Sequence, residues 1–129
     1  MNLKAKGTNA ERELIHLFWA AGWASLRCAG SGSMRYPSPD ILAGNSLRKL
    51  AIECKTSKNN NIYIPKKELN ELKEFSNKFG AEAWVGVKVQ KEWYFLNLED
   101  TNQTVKNHSI SLVLAKQKGL LFDELIGNI

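Results

Sequence analysis

Leu50-Ala51-Ile52-Glu53-Cys54-Lys55, read with Pro39-Asp40-Ile41-Leu42-Ala43-Gly44-Asn45 ahead of it, is the stretch that decides the fold of this chain. Residues 50–52 are an apolar run entering an alternating segment. In an extended strand Glu53 and Lys55 project to one face, and Ile52 and Cys54 to the other. Cys54 then packs into the core beneath two charged neighbours. Asp40 opens a short apolar strand, Ile41-Leu42-Ala43, and Gly44-Asn45 is turn chemistry between that strand and the next. A hairpin of this kind returns Asp40 to the side of Glu53. Two carboxylates so placed can share a hard cation, and the Lys55 ammonium stands where it can orient an attacking water or offset charge developing on a phosphate.

Acidic side chains are otherwise scarce in this half of the chain. Residues 1–67 hold eleven Lys or Arg against four carboxylates (Glu11, Glu13, Asp40 and Glu53), a surplus of +7. Residues 68–129 hold seven against nine, or −2, which together make the +5 of the 129-residue chain. A basic surface built for a polyanion has little use for negative charge unless that charge binds something positive, and at a phosphodiester a divalent cation is the usual answer. Such polarity suggests one face for nucleic acid. These features read as a metal-dependent nuclease. A membrane surface is the competing partner for a basic chain, but no helix here pairs a basic face with a large aromatic one. Solubility alone also accounts for a charge run.

Glu-x-Lys is a weak signal by itself, and the chain carries a second copy, Glu71-Leu72-Lys73. That copy lies in a helix expected over 66–79, where Leu69, Leu72, Phe75 and Phe79 recur at helical spacing and Gly80 supplies the stop, so it reads as a solvated helix face. The first copy differs by its place on a strand and by the Pro-Asp partner. On another helix expected over 8–21, Glu11 falls on the stripe of Leu14, Ile15 and Phe18. Two readings stay open for it: an inward carboxylate that joins Asp40 and Glu53 as a third ligand, or the far end of a capping box begun by Thr8. Glu13 reads as surface.

At 43% hydrophobic, 129 residues are enough for one core and one domain. Strands are expected near 23–29, 40–43, 47–56, 83–89 and 92–98, making an α/β sheet with helices against it. Trp84 and Trp93 read as core or interface residues. Cys28 and Cys54 make no disulfide framework, and no signal peptide or long apolar span is visible, so the expectation is an intracellular chain with reduced thiols. Two Cys with two distant His lack zinc-ligand spacing, and His16 and His108 read as surface or boundary residues. The loop Gly30 to Tyr36 precedes the proposed site; its glycines allow close approach to a phosphate, with Ser31 and Arg35 offering a hydroxyl and a charge. Residues 110–126 are markedly apolar and need a cover, either the chain's own sheet or a second subunit, and a two-fold homodimer is the expectation.

Four strings in order carry a resemblance. They are Lys6-Gly7-Thr8-Asn9-Ala10-Glu11-Arg12-Glu13-Leu14, then Arg27-Cys28-Ala29-Gly30-Ser31-Gly32-Ser33, then Pro37-Ser38-Pro39-Asp40-Ile41, then Ile52-Glu53-Cys54-Lys55. With Ile62-Tyr63-Ile64, Phe75 to Ala81 and Trp93-Tyr94-Phe95, the chain resembles the archaeal Holliday junction resolvases over most of its length. The resemblance implies a restriction-endonuclease-like α/β fold, a mixed β-sheet flanked by helices. It also implies a homodimer, dependence on Mg2+ with Mn2+ able to substitute, and paired nicks in opposing strands of a four-way DNA junction that leave 5′-phosphate and 3′-hydroxyl ends. Carried over residue by residue, the metal ligands would be Glu11, Asp40 and Glu53, with Lys55 as the catalytic lysine. Arg12 and Arg27 match arginines expected near the scissile phosphate, and Ser31 a serine in a mobile loop that reaches the site. Lys4, Lys6 and Arg35 complete the expected DNA-binding set.

The reaction so implied is hydrolysis in line with the leaving 3′ oxygen, with Lys55 and the cation neutralising charge on the phosphate. An isologous dimer supplies two sites related by the two-fold that relates opposing junction strands. Two other readings compete: a nuclease of the same fold acting on another DNA form, and an architectural DNA-binding dimer whose carboxylates are inactive. A sliding clamp or other recombination protein is a further conceivable partner, though the C-terminal tail shows no convincing clamp-binding peptide.

Overall fold

The expected hairpin forms, and a side chain makes its turn. In the computed structural model, which describes residues 3–28 and 35–127 with side chains from residue 7 on, β2 (Ile41–Gly44) pairs antiparallel with β3 (Lys49–Ser57), Ile41 lying opposite Ile52. Asn45 Oδ1 accepts the backbone N–H groups of Leu47 at 2.8 Å and Arg48 at 2.7 Å, while the Asn45 N–H donates to the Arg48 carbonyl at 3.0 Å. An Asx side chain thus does the work of a backbone turn. Gly44 is still in the strand, opposite Lys49, so the turn is longer than the Gly44-Asn45 pair alone. Arg48 then grips Glu82 through two nitrogens and the Leu125 carbonyl at 2.6 Å, fastening the hairpin to distant parts of the chain.

Around this hairpin a five-stranded sheet assembles in the order β1 (Ala24–Arg27), β2, β3, β5 (Glu82–Val89), β6 (Glu92–Leu96). All its pairings are antiparallel except β3 with β5. A parallel pair needs a crossover, and here it runs through β4 (Asn61–Pro65) and α2 (Lys66–Phe79). One face of the sheet is covered by α1 (Leu3–Ala20), whose Ala10, Leu14 and Phe18 join Ile52, Cys54, Trp84, Trp93 and Phe95 in one core. The other face is covered by α2, whose Leu69 and Leu72 pack with Ala51, Val85 and Val87. β3 is therefore buried on both sides at its start, which is why Leu50-Ala51-Ile52 is continuously apolar and alternation begins only at Glu53. Trp84 and Trp93 are core residues, and the described residues include no helix long and apolar enough to cross a membrane.

Several features depart from the sequence reading. α1 begins at Leu3, so Thr8 sits inside the helix and cannot cap it; the capping-box reading of Glu11 falls. A second, three-stranded sheet in the order β4, β8 (Asn107–Ser111), β7 (Asn102–Gln103) was not expected, its strands being only two to five residues long. The chain finishes with α3 (Leu112–Lys118) and α4 (Phe122–Leu125). The apolar tail is covered by the chain's own sheet: Ile110, Ala115 and Leu125 are buried, Leu120 and Phe95 exchange two backbone hydrogen bonds of 2.8 Å, and Phe122 meets Phe18 edge-on at 5.0 Å. Glu13 is exposed as expected, yet it accepts from Lys88 at 2.8 Å and from Trp93 Nε1 at 3.1 Å and so ties α1 to β5 and β6. His108, expected near the surface, is buried. Its Nδ1 lies 2.6 Å from Thr101 Oγ1, whose own hydrogen goes to the Leu98 carbonyl at 2.8 Å, so the hydrogen between ring and hydroxyl belongs to His108. Burial, with Lys66 nearby, lowers the pKa of this imidazole.

Gly86 marks where the core is tightest. A methyl group there would stand 3.0 Å from Phe95 Cε1 and 3.3 Å from Ile52 Cγ2. Gly86→Ala is expected to lower the unfolding free energy in urea by about 1–3 kcal/mol, the usual cost of overpacking a close-packed core; an unchanged midpoint would contradict this packing.

Candidate active site

Asp40 stands immediately before β2, at the point where β2 and β3 part, and three backbone-directed bonds hold it. Its N–H donates to the Ile52 carbonyl at 3.1 Å and its carbonyl accepts the Cys28 N–H at 2.8 Å. Its Oδ2 accepts the Cys54 N–H at 2.8 Å. A side chain thus takes the place of the next ladder bond and fixes Asp40 against Glu53, the residue opposite it in register. Lys55 follows on the same face of β3, its Nζ 3.9 Å from Glu53 Oε2. From the first turn of α2, Glu68 Oε1 accepts from Lys55 Nζ at 3.0 Å. On α1, Glu11 Oε1 accepts from Arg27 Nε, on β1, at 2.9 Å. Glu11, Asp40, Glu53, Lys55 and Glu68 line one cleft of about 260 Å³, with Ser38, Cys54 and Glu71 completing its wall.

Charge in this cleft is out of balance. Burial first, and then the charge of Asp40, push the Glu53 carboxyl up to about 9 against the pull of Lys55, and a hydrogen bond to the Asp40 side chain works in the same direction. Burial also raises Glu11, opposed mainly by its bond to Arg27. For Lys55 burial works to lower the pKa, but the bond to Glu68 and the charges of Glu68, Glu53 and Asp40 together outweigh it and keep the ammonium protonated. Cys28 and Cys54 are both raised, by burial first and then by Asp40, which leaves them as inert thiols. Carboxylates outnumber the cations Lys55 and Arg27 here, so the cleft gathers hard oxygen donors with negative charge to spare. The buried Ser38 Oγ, with no hydrogen-bond partner among the described residues, adds another oxygen at the wall. Such a donor set fits a divalent cation. Among the described residues no three His, Cys, Asp or Glu side chains are grouped as a closed metal cluster. Glu11 is turned to Arg27 and Glu68 to Lys55 instead.

Of the residues singled out from sequence, Glu11, Asp40, Glu53 and Lys55 come together, with Arg27 bound to the first of them. Arg12 is exposed on α1. Arg35 is exposed, its guanidinium 5.6 Å from the centre of the Tyr36 ring. Lys4 and Lys6 fall within α1, but their side chains lie outside the described set, and Ser31 lies outside the described residues altogether. Glu68 and Glu71 are the additions. Glu71 belongs to the second Glu-x-Lys, read as a solvated helix face, and its neighbour one turn back turns out to hold Lys55. The signal available was the i, i+3 spacing of Glu68 and Glu71 beside the buried stripe of Leu69 and Leu72.

Comparison with known proteins places the chain. The family described as archaeal Holliday junction resolvase (hjc) matches residues 2–129. A crossover junction endodeoxyribonuclease Hjc from Archaeoglobus fulgidus is 40% identical over 133 residues, covering 97% of this chain and 98% of that protein. One of the same name from Sulfolobus acidocaldarius is 35% identical over 128 residues, covering 98% and 90%. The solved structure of Archaeoglobus fulgidus Hjc, described as a Holliday junction resolvase, superposes with a TM-score of 0.87 at 38% identity, covering 96% of this chain and 98% of that one. The mixed sheet flanked by helices expected from the sequence is the fold found.

The protonation of Glu53 has a measurable consequence. Its carboxyl rises from 4.5 to about 9 on folding, so between those values the folded chain holds a proton that the unfolded chain releases. In EDTA, stability to urea should therefore fall as pH rises through 6, 7 and 8, by at most about 1.4 kcal/mol per pH unit from this group. Glu53→Gln should remove that slope, and a flat or rising curve for the unaltered protein would contradict the assignment.

Proposed function

Because this chain belongs to the archaeal Holliday junction resolvase family, we propose that it is an endodeoxyribonuclease that cuts four-way DNA junctions in recombination at the cleft of Asp40, Glu53 and Lys55. The observation that carries this reading is the carboxylate pair held by the β2–β3 register, with a protonated lysine 3.9 Å from Glu53. Asp40 and Glu53 would hold the cation, with Glu11 joining them on leaving Arg27. Mg2+ suits such oxygen donors, and Mn2+ can substitute. When bound, the ion supplies charge neutralisation at the phosphate and acidifies water.

The chain's own residues do the rest. Glu68 holds the Lys55 ammonium in the cleft and away from collapse onto Glu53, so that the positive charge meets the phosphate where negative charge builds in the transition state. Arg27, once exchanged from Glu11, and the exposed Arg12 are placed to grip backbone oxygens. In-line attack of water with departure of the 3′ oxygen leaves a 5′-phosphate and a 3′-hydroxyl. Resolving a junction without a broken arm takes two such cuts in opposing strands, hence two sites related by a two-fold. An exposed aromatic strip supports a homodimer: Tyr36 is 68% exposed, Phe79 is 48% exposed, and Phe75 stacks on Phe79 at 5.2 Å. A second copy of the chain would cover such a strip.

Cleavage of a synthetic four-way junction and of a linear duplex, each in Mg2+ and in EDTA, tests the proposal. The junction should be cut only with the metal and the duplex left whole. Asp40→Asn should slow cutting at least 10²-fold, on the order of losing one electrostatic contact at a reacting centre, while still binding the junction. Equal cutting of both substrates would point to another DNA form, and full activity of Asp40→Asn would remove the site.

A further inference from the structure

The parallel strands β3 and β5 end together, Ser57 lying opposite Val89. In open α/β sheets ligands gather outside the carboxyl ends of strands, and Glu53 and Lys55 use one side of this end. On the other side of the first half of α1 lies a second cleft, of about 490 Å³, between α1 and the two turns that follow these strands. Lys58, Lys88 and Lys91 are in its wall, and no step of the proposed cleavage uses them.

Both turns are built to keep their shape. Ser57 Oγ donates to the Asn61 carbonyl at 3.3 Å and accepts the Asn59 N–H at 3.0 Å, while the Asn60 carbonyl accepts the Leu112 N–H at 2.7 Å. Gln90 Nε2 donates to Asn60 Oδ1 at 2.9 Å and so ties one turn to the other. Gln90 and Lys91 have φ values of 52° and 69°, the left-handed region in which a two-residue hairpin turn prefers Asn-Gly. A non-glycine residue held there costs stability, and such strain collects where a side chain is needed. Gln90 has its use in the bond to Asn60; Lys91 makes no such bond. Lys88 is neutralised by Glu13. Lys58 and Lys91 are exposed, and among the described residues neither has a carboxylate within ion-pair distance. Lys58 follows Lys55 by three residues, roughly 10 Å of extended chain, or about three base steps along one strand of a duplex.

We infer that this cleft is a second phosphate seat, in which Lys58 and Lys91 hold the sugar–phosphate backbone of a duplex arm while the scissile strand lies at Lys55. The inference rests on the resolvase reading and extends it from the cut phosphate to the arm beside it. Its contacts are to phosphate and carry no base preference.

The test is a salt titration of junction binding in EDTA, where no cutting intervenes, comparing the unaltered full chain with Lys58→Ala/Lys91→Ala. Two lost phosphate contacts should flatten the slope of log K against log salt by about 1.8, so that a fourfold rise in salt costs the unaltered chain about tenfold more affinity than the variant. Lys58→Arg/Lys91→Arg should restore the slope, and the thermal midpoints of both variants should match or exceed that of the unaltered chain. An unchanged slope in the alanine variant, with the unaltered chain still preferring the junction to a linear duplex, would overturn the second seat and leave the resolvase reading standing. If the unaltered chain showed no preference for the junction, that reading would fall and the second seat with it.

Discussion

Where β2 ends, the carboxylate of Asp40 continues the hydrogen bonding that its strand gives up, by accepting the Cys54 N–H at 2.8 Å. The rest of the site depends on that bond. It ends the β2–β3 ladder without leaving a buried N–H unpaired, and it sets the Asp40 side chain against Glu53, two charged groups that would otherwise move apart. Beyond this point the same edge of β3 is free of β2, and Lys55 stands in the opening. One bond thus joins the register of a hairpin to the composition of a cleft.

A carboxylate pair of this kind is an electrostatic cost that the fold carries by two means. The first is protonation, visible in the rise of the Glu53 carboxyl to about 9. The second is a set of nearby cations held on carboxylates of their own, Arg27 on Glu11 and Lys55 on Glu68. Both arrangements are ready for exchange. A divalent cation can replace the proton, and the DNA backbone can draw the arginine away from its carboxylate. The scaffold beneath does not need to move, because β3 is clamped between α1 and α2 through Ile52 and Cys54 on one side and Ala51 on the other.

The parts of this arrangement that are local in sequence were readable from it. Alternation along β3 puts Glu53 and Lys55 on one face, and a short hairpin brings Asp40 to them without knowledge of the rest of the chain. Glu11 could be placed on an inward helical stripe, but its partner Arg27 could not, since that pair depends on how α1 lies across β1. Glu68 was hidden for the same reason: only the crossover through β4 returns α2 to Lys55. The second sheet escaped notice because β7 and β8 are too short for alternation to stand out, and its polar member His108 resembles a surface residue until Thr101 is seen beside it. The start of α1 was placed too late because Thr8-x-x-Glu11 imitates a helix start in the middle of one.

The account's central claim is that this cleft hydrolyses one phosphodiester and that the chain acts in symmetrical pairs. Mapping the nicks strand by strand on a synthetic four-way junction tests it most directly. The account predicts one nick in each of two opposing strands, at symmetrical positions, with 5′-phosphate ends. Nicks confined to one strand, or scattered over all four arms, would contradict it.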